Sequence, residues 1–128
     1  MRLFYYLYIT LILISCSNNV ELIFDEDNGG LFLPIGFQSL VVHEGVGQSR
    51  HIAVNENGDI YVKLRLDYGR KGNVALRDKN GDGKADIIQR FGDYPNDGRF
   101  ATEMKINEGY LYYSSERVVY RQKLSSKK

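Results

Sequence analysis

The sequence predicts an all-β chain of short antiparallel strands. Three observations lead there. No window after residue 34 carries a 3.6-residue apolar period. Short β-branched and aromatic runs alternate with turn signals instead. The 128 residues include 13 Gly, 10 Tyr and only two Pro, a usage suited to tight turns between aromatic-rich strands.

The strands follow in order. Phe37–Val42 is the first run, and His51–Val54 the second. Asn57-Gly58 then separates it from Asp59–Leu64; an Asn-Gly pair between two such runs is a strong hairpin signal, because both residues tolerate positive φ. Val74–Arg77 enters an acidic loop and Ile87–Phe91 leaves it. The pattern then recurs. Ile52–Val62 aligns with Met104–Tyr113 after one deletion, so that Tyr61 matches Tyr112. Val74–Arg77 likewise aligns with Val118–Arg121. A β-rich unit repeating at about 40–50 residues is the signature of a propeller blade. Two unrelated hairpins in one sandwich are the alternative. Seven or eight strands make about two blades, one at about 37–91 and one at about 100–124 within a partial propeller over 34–128.

Ahead of the strands, the chain carries an address. Arg2 precedes an uncharged stretch, Leu3–Ile14, that fits a secretory h-region and is too short for the roughly 20 helical residues of a membrane span. Leu13-Ile14-Ser15-Cys16 resembles a bacterial lipobox, which makes residues 1–15 a lipoprotein signal peptide and Cys16 the lipidated anchor. The competing reading is a buried N-terminal helix with an incidental Cys. The expected location is the cell envelope, on the outer membrane or its periplasmic face, held by acyl chains and not by a transmembrane helix. Residues 16–33, with Asn, Asp, Glu and a Gly29-Gly30 pair, read as a tether.

Composition excludes several classes. At 43% hydrophobic and 26% charged, the chain is not disordered. A net charge of +1, with no basic block beyond Lys127-Lys128, argues against a nucleic-acid partner. The single Cys permits no internal disulfide, and there is no CxxC or Cys/His zinc spacing. There is no G-x-S-x-G, P-loop or dinucleotide motif. The tyrosines, Tyr110, Tyr112 and Tyr113 among them, read as strand packing.

One motif carries metal chemistry. In DKNGDGKADIIQ, Asp78, Asn80, Asp82, the Lys84 carbonyl and Asp86 fall on positions 1, 3, 5, 7 and 9 of a calcium loop, with Gly83 at 6. Gln89 replaces the bidentate Glu at position 12, and the flanks read as strands, so this is no EF-hand. The expectation is a structural Ca²⁺ staple with a Kd on the order of 10⁻⁴–10⁻³ M. A metal-free turn of Asx residues is the alternative.

Residues 33 to about 124 also resemble a known family. Leu33-Pro34-x-Gly36-Phe37, Arg50–Val54 and Asn57–Val62 resemble the opening blade of the glucose/sorbosone dehydrogenase family. Leu76–Asp86 resembles the acidic insert of its bacterial lipoprotein members. The resemblance implies a secreted or periplasmic six-bladed propeller, several of whose members oxidise sugars or aldehydes with pyrroloquinoline quinone (PQQ). In that family the catalytic His and most cofactor contacts come from later blades, so no catalytic residue is transferred. Arg50 and His51 are the candidates for cofactor contact, since they sit at a loop-to-strand junction; a surface strand-end pair is the plainer alternative. His43, beside Glu44, is the other histidine.

Length limits this picture. Cleavage before Cys16 leaves residues 16–128, 113 in all, whereas four blades need roughly 160. Three outcomes are expected: a truncated gene product, an oligomer formed through open blade faces, or collapse into a smaller sandwich. The leading functional expectation is therefore the N-terminal fragment of a PQQ-type oxidoreductase lipoprotein, inactive alone. The alternative is a non-catalytic surface lipoprotein with a calcium-stapled β binding module.

Overall fold

A computed structural model of the chain describes residues 21–68, 71–93 and 103–125. The chain is all-β, with two antiparallel sheets in which consecutive strands pair. The first holds Ser49–Val54 (β1), Ile60–Tyr68 (β2), Lys71–Arg77 (β3) and Ile87–Asp93 (β4). The second holds Met104–Asn107 (β5), Tyr110–Ser114 (β6) and Val119–Lys123 (β7). The expected signal peptide, residues 1–15, and Cys16 lie outside the described residues. No described helix is long and apolar enough to cross a membrane.

The two aligned hairpins differ by one residue, and their turns show why. In the first, the Gly58 N–H donates to Asn55 O (2.9 Å) and the Asn55 N–H to Asp59 O (2.9 Å). Only Gly58 of this loop takes a positive φ, 91°. The turn is thus centred on Glu56-Asn57 with Gly58 as its bulge residue, and not on Asn57-Gly58 as the sequence predicts. In the second, two residues suffice: Glu108 (φ 49°) and Gly109 (φ 74°) form a type I′ turn between the paired Asn107 and Tyr110. The deletion converts one hairpin type into the other and preserves the pairing on both sides.

Phe37–Val42, expected as the first strand, forms no strand. Its polar backbone groups are taken by the segment just upstream. Asp25 N–H donates to Ser39 O (3.0 Å), Val41 N–H to Asp25 Oδ2 (2.5 Å) and Ser39 N–H to Asn28 Oδ1 (3.1 Å). A short 3-10 turn, Asn28–Gly30, closes this arrangement. So the described part of the expected tether, 21–33, is pinned to residues 39–41. The first sheet accordingly begins at Ser49 and ends at Asp93, and the second spans 104–123.

The resulting arm, residues 21–48, lies across one face of the first sheet. Val42 and Val46 pack there on Val62, Leu64, Val74 and Leu76, all buried. Ala85 N–H donates to Val42 O (2.9 Å), and Arg90 Nη2 to Val46 O (3.0 Å). The other face of the first sheet packs on the second sheet through Tyr61, Met104, Leu111 and Tyr113. Phe91 meets both Tyr61 and Tyr113 edge-on, with ring centroids at 6.1 and 5.8 Å. Strand β2 is therefore covered on both sides, and residues 61–64 are all buried.

Repeat-equivalent faces point the same way through this stack. Ala53, Tyr61 and Ala75 face the second sheet. Their counterparts in the alignment, Lys105, Tyr112 and Val119, lie on the second sheet's outward face, opposite in parity to Met104, Leu111 and Tyr113. The layers run in the order arm, first sheet, second sheet.

Candidate functional site

The seam between the sheets opens at one end into a cleft of about 390 Å³. The sequence sets its polar end through local hydrogen bonds. Along the β1–β2 turn, Asn55 Nδ2 donates to Asn57 Oδ1 (2.9 Å), and Asn57 Nδ2 donates to Asp59 Oδ2 (3.0 Å). Asp59 precedes β2 on the parity of Tyr61, so its carboxylate faces the seam, 5% exposed. Arg77 ends β3 on the same face. Its Nε and Nη2 reach Asp59 Oδ1 and Oδ2, both at 2.5 Å, a bidentate fork. Tyr61 Oη is 3.5 Å from Asp59 Oδ2.

The electrostatics follow from these contacts. The hydrogen bonds from Arg77 hold the Asp59 carboxyl below the usual range, outweighing the opposite push of burial. Burial, helped by the Asp59 charge, pushes the Tyr61 phenol up. Tyr61 and Phe91 supply the aromatic lining. Gln89, Gln122 and Ser125 add neutral hydrogen-bonding groups around the paired charges, and Lys123, at the end of β7, also borders the cleft.

The acidic loop adjoins this cleft through Arg77. The Asp86 N–H donates to Arg77 O (2.9 Å), so the residue whose guanidinium lines the cleft also closes the loop. Asp78 accepts from Gly81 N–H (2.6 Å) and Gly83 N–H (2.8 Å). Asn80 accepts from Asp82 N–H, Asp82 from Lys84 N–H, and Asp86 from Lys79 N–H. Partial burial pushes the Asp78 carboxyl up, but these backbone donors outweigh it and the net shift is downward. Donor chemistry suits a hard cation. Placement is that of a turn closed on its own amides, and no three His, Cys, Asp or Glu side chains converge as a metal group among the described residues.

The remaining candidates stand apart. Arg50 and His51 are exposed at the start of β1, beside a register shift, and neither lines the cleft. His43 lies in a second recess under the arm, with Asp25, Asp27, Glu44 and Lys84.

Sequence reasoning missed Asp59, Arg77 and the buried Lys63, whose ammonium burial pushes down to about 8. A signal was present. Positions 59, 61 and 63 alternate onto one face, so charged residues there stand where a core residue is expected. Comparison with known protein families, curated proteins and solved structures finds no match to this chain.

Proposed function

We propose that the chain is a lipid-anchored module of the cell envelope, made of two propeller-type blades, that binds a small polar ligand in the cleft between them. The observation that supports it most is the cleft itself, closed at one end by the Asp59–Arg77 fork. Its volume falls within the ~300–1,000 Å³ of small-ligand sites, and it combines aromatic walls with a few fixed polar groups. The like orientation of equivalent faces supports blade-type stacking. The proposed ligand class, a sugar or aldehyde, comes from the family resemblance.

This reading is favoured over an oxidoreductase fragment because the resemblance carries no catalytic residue over to this chain and neither Arg50 nor His51 lines the cleft. Anchoring rests on the Leu13–Cys16 motif. The loop is proposed as a calcium staple on its donors: each carboxylate oxygen that accepts one N–H keeps a lone pair for a cation. At tenfold over Kd the metal would stabilise the fold by only ~1.4 kcal/mol.

Ligand-observed NMR with an aldose and aldehyde panel tests the main reading. Binding at millimolar concentration that is lost in Gln122→Ala supports it. Absence of binding, or binding that Gln122→Ala leaves intact, refutes it, and dye-linked turnover with added PQQ would replace it with the oxidoreductase reading. Fatty-acid labelling that survives Cys16→Ala would refute the anchor. A melting temperature indifferent to calcium and chelator would refute the staple.

A further inference from the structure

The two ends of the layered stack carry opposite chemistry. The arm contains five acids, Glu21, Asp25, Glu26, Asp27 and Glu44, and no Lys or Arg. It also exposes large apolar side chains. Phe32 and Ile35 are fully exposed and Phe37 is 68% exposed. At the other end, the outward face of the second sheet holds Lys105, Tyr110, Tyr112, Val119, Arg121 and Lys123. Cross-strand register places Lys105, Tyr112 and Arg121 in one row and Tyr110 beside Lys123 in the next. The outward positions of β5, β6 and β7 include no Asp or Glu. Val119 is 74% exposed, and Arg121 stacks over the Tyr110 ring at 4.7 Å.

We infer that this outward face docks the arm of a second copy of the chain, head to tail. Three things carry it. The face is the aligned counterpart of the one on which the second sheet itself sits, with Tyr112 and Arg121 where that face has Tyr61 and Arg77. The arm already performs that covering role within the chain, on the first sheet. And the arm matches both parts of the face, acids to cations and Phe32 and Ile35 to Val119 and the tyrosines, whereas a polyanion would match the cations alone. Within the chain Asp25 is paired with Lys84 at 3.8 Å, but the arm and the outward face lie at opposite ends of the stack and cannot meet each other. The contact is heterologous, and it propagates into a ring or a filament.

Sedimentation velocity on the full chain in detergent solution tests this with a charge swap. Lys105→Glu/Arg121→Glu alters the face, and Glu26→Lys/Glu44→Lys alters the arm. The wild-type chain is expected to self-associate with rising concentration, and each variant alone at least about tenfold more weakly. An equimolar mixture of the two variants should regain association, because each altered surface then meets its opposite. A wild-type chain that stays monomeric at all concentrations overturns the inference. So does association that neither variant weakens, or a mixture that does not recover. Retention of a monomeric chain on an immobilised polyanion, lost in the face variant, would assign the face to such a polymer and equally overturn it.

Discussion

The Arg77 guanidinium grips both oxygens of Asp59 across β2 and β3, in the lining of the cleft between the sheets. The aligned residues of the second repeat, Arg121 and Tyr110, also meet, but through a cation–π contact. In both sheets an arginine therefore reaches a residue at the start of the preceding strand: Arg77 from the end of β3 to Asp59 just before β2, Arg121 from the middle of β7 to Tyr110 opening β6. Only the first pair is enclosed: its carboxylate is buried and its guanidinium side chain is 34% exposed.

Removing the arginine should be costly. Arg77→Ala leaves a nearly buried carboxylate without its counter-charge, an expected loss of about 2–3 kcal/mol in urea unfolding. Arg77→Lys should recover less than half, since an ammonium cannot make the fork. A loss below about 0.5 kcal/mol for Arg77→Ala would mean that water already screens the pair.

Acid should weaken the fold through Asp59. Its folded-state pKa lies below its ordinary value of 3.8, so the stabilisation is fully present above that value and is lost as pH falls through the lower one. Asp59→Asn should flatten this acid limb only in part, because Asp78 is also held low, by backbone N–H groups. Unfolding midpoints between about pH 2 and 5 check it.

Alkali should strengthen the fold through Lys63. Burial lowers its ammonium from 10.5 to about 8, so the unfolded chain binds more protons between those values. Stability should therefore rise from pH 8 towards 10, and Lys63→Met should abolish the rise. Measurements should stop near pH 10, where Tyr61 and Tyr113, both pushed up by burial, begin to act in the opposite direction.

Glu108 occupies the left-handed region in a two-residue turn, φ 49°. A side chain without Asn's local hydrogen bonding is disfavoured there. Glu108→Asn should stabilise the chain by about 0.5–1 kcal/mol, measured as a raised melting temperature. A fall would mean that the turn is not type I′.

Gly83 and Gly81 separate backbone strain from packing. Both have positive φ, but a Cβ at Gly83 would lie 2.7 Å from a Leu40 methyl and 2.9 Å from one of Leu22, while one at Gly81 meets nothing within 4 Å. Gly81→Ala should cost about 1 kcal/mol through strain alone. Gly83→Ala should cost about 1 kcal/mol more. Equal losses would show that the arm does not sit on the acidic loop.

Much of this fold was legible in the sequence because its signals are local. All seven strands overlap runs read from the chain, including both aligned hairpins. Phe37–Val42 departs from the expected strand for a definite reason. Its apolar pattern suits a strand, yet Asp25 and Asn28 claim its backbone amides through side-chain bonds made eleven to sixteen residues away. The acidic loop was legible as a turn, since Asx side chains bond amides a few residues onward. The direction its carboxylates take is settled by those bonds.

By itself, then, the sequence determined the all-β class and the hairpin positions, because alternation and turn chemistry act over a few residues. The tertiary structure decided that the arm covers one face of the first sheet while the second sheet takes the other. It also brought Asp59 to Arg77 across 18 residues. Such choices depend on which apolar surfaces meet. Period-two alternation says only that a strand has two faces; long-range packing selects the partner for each.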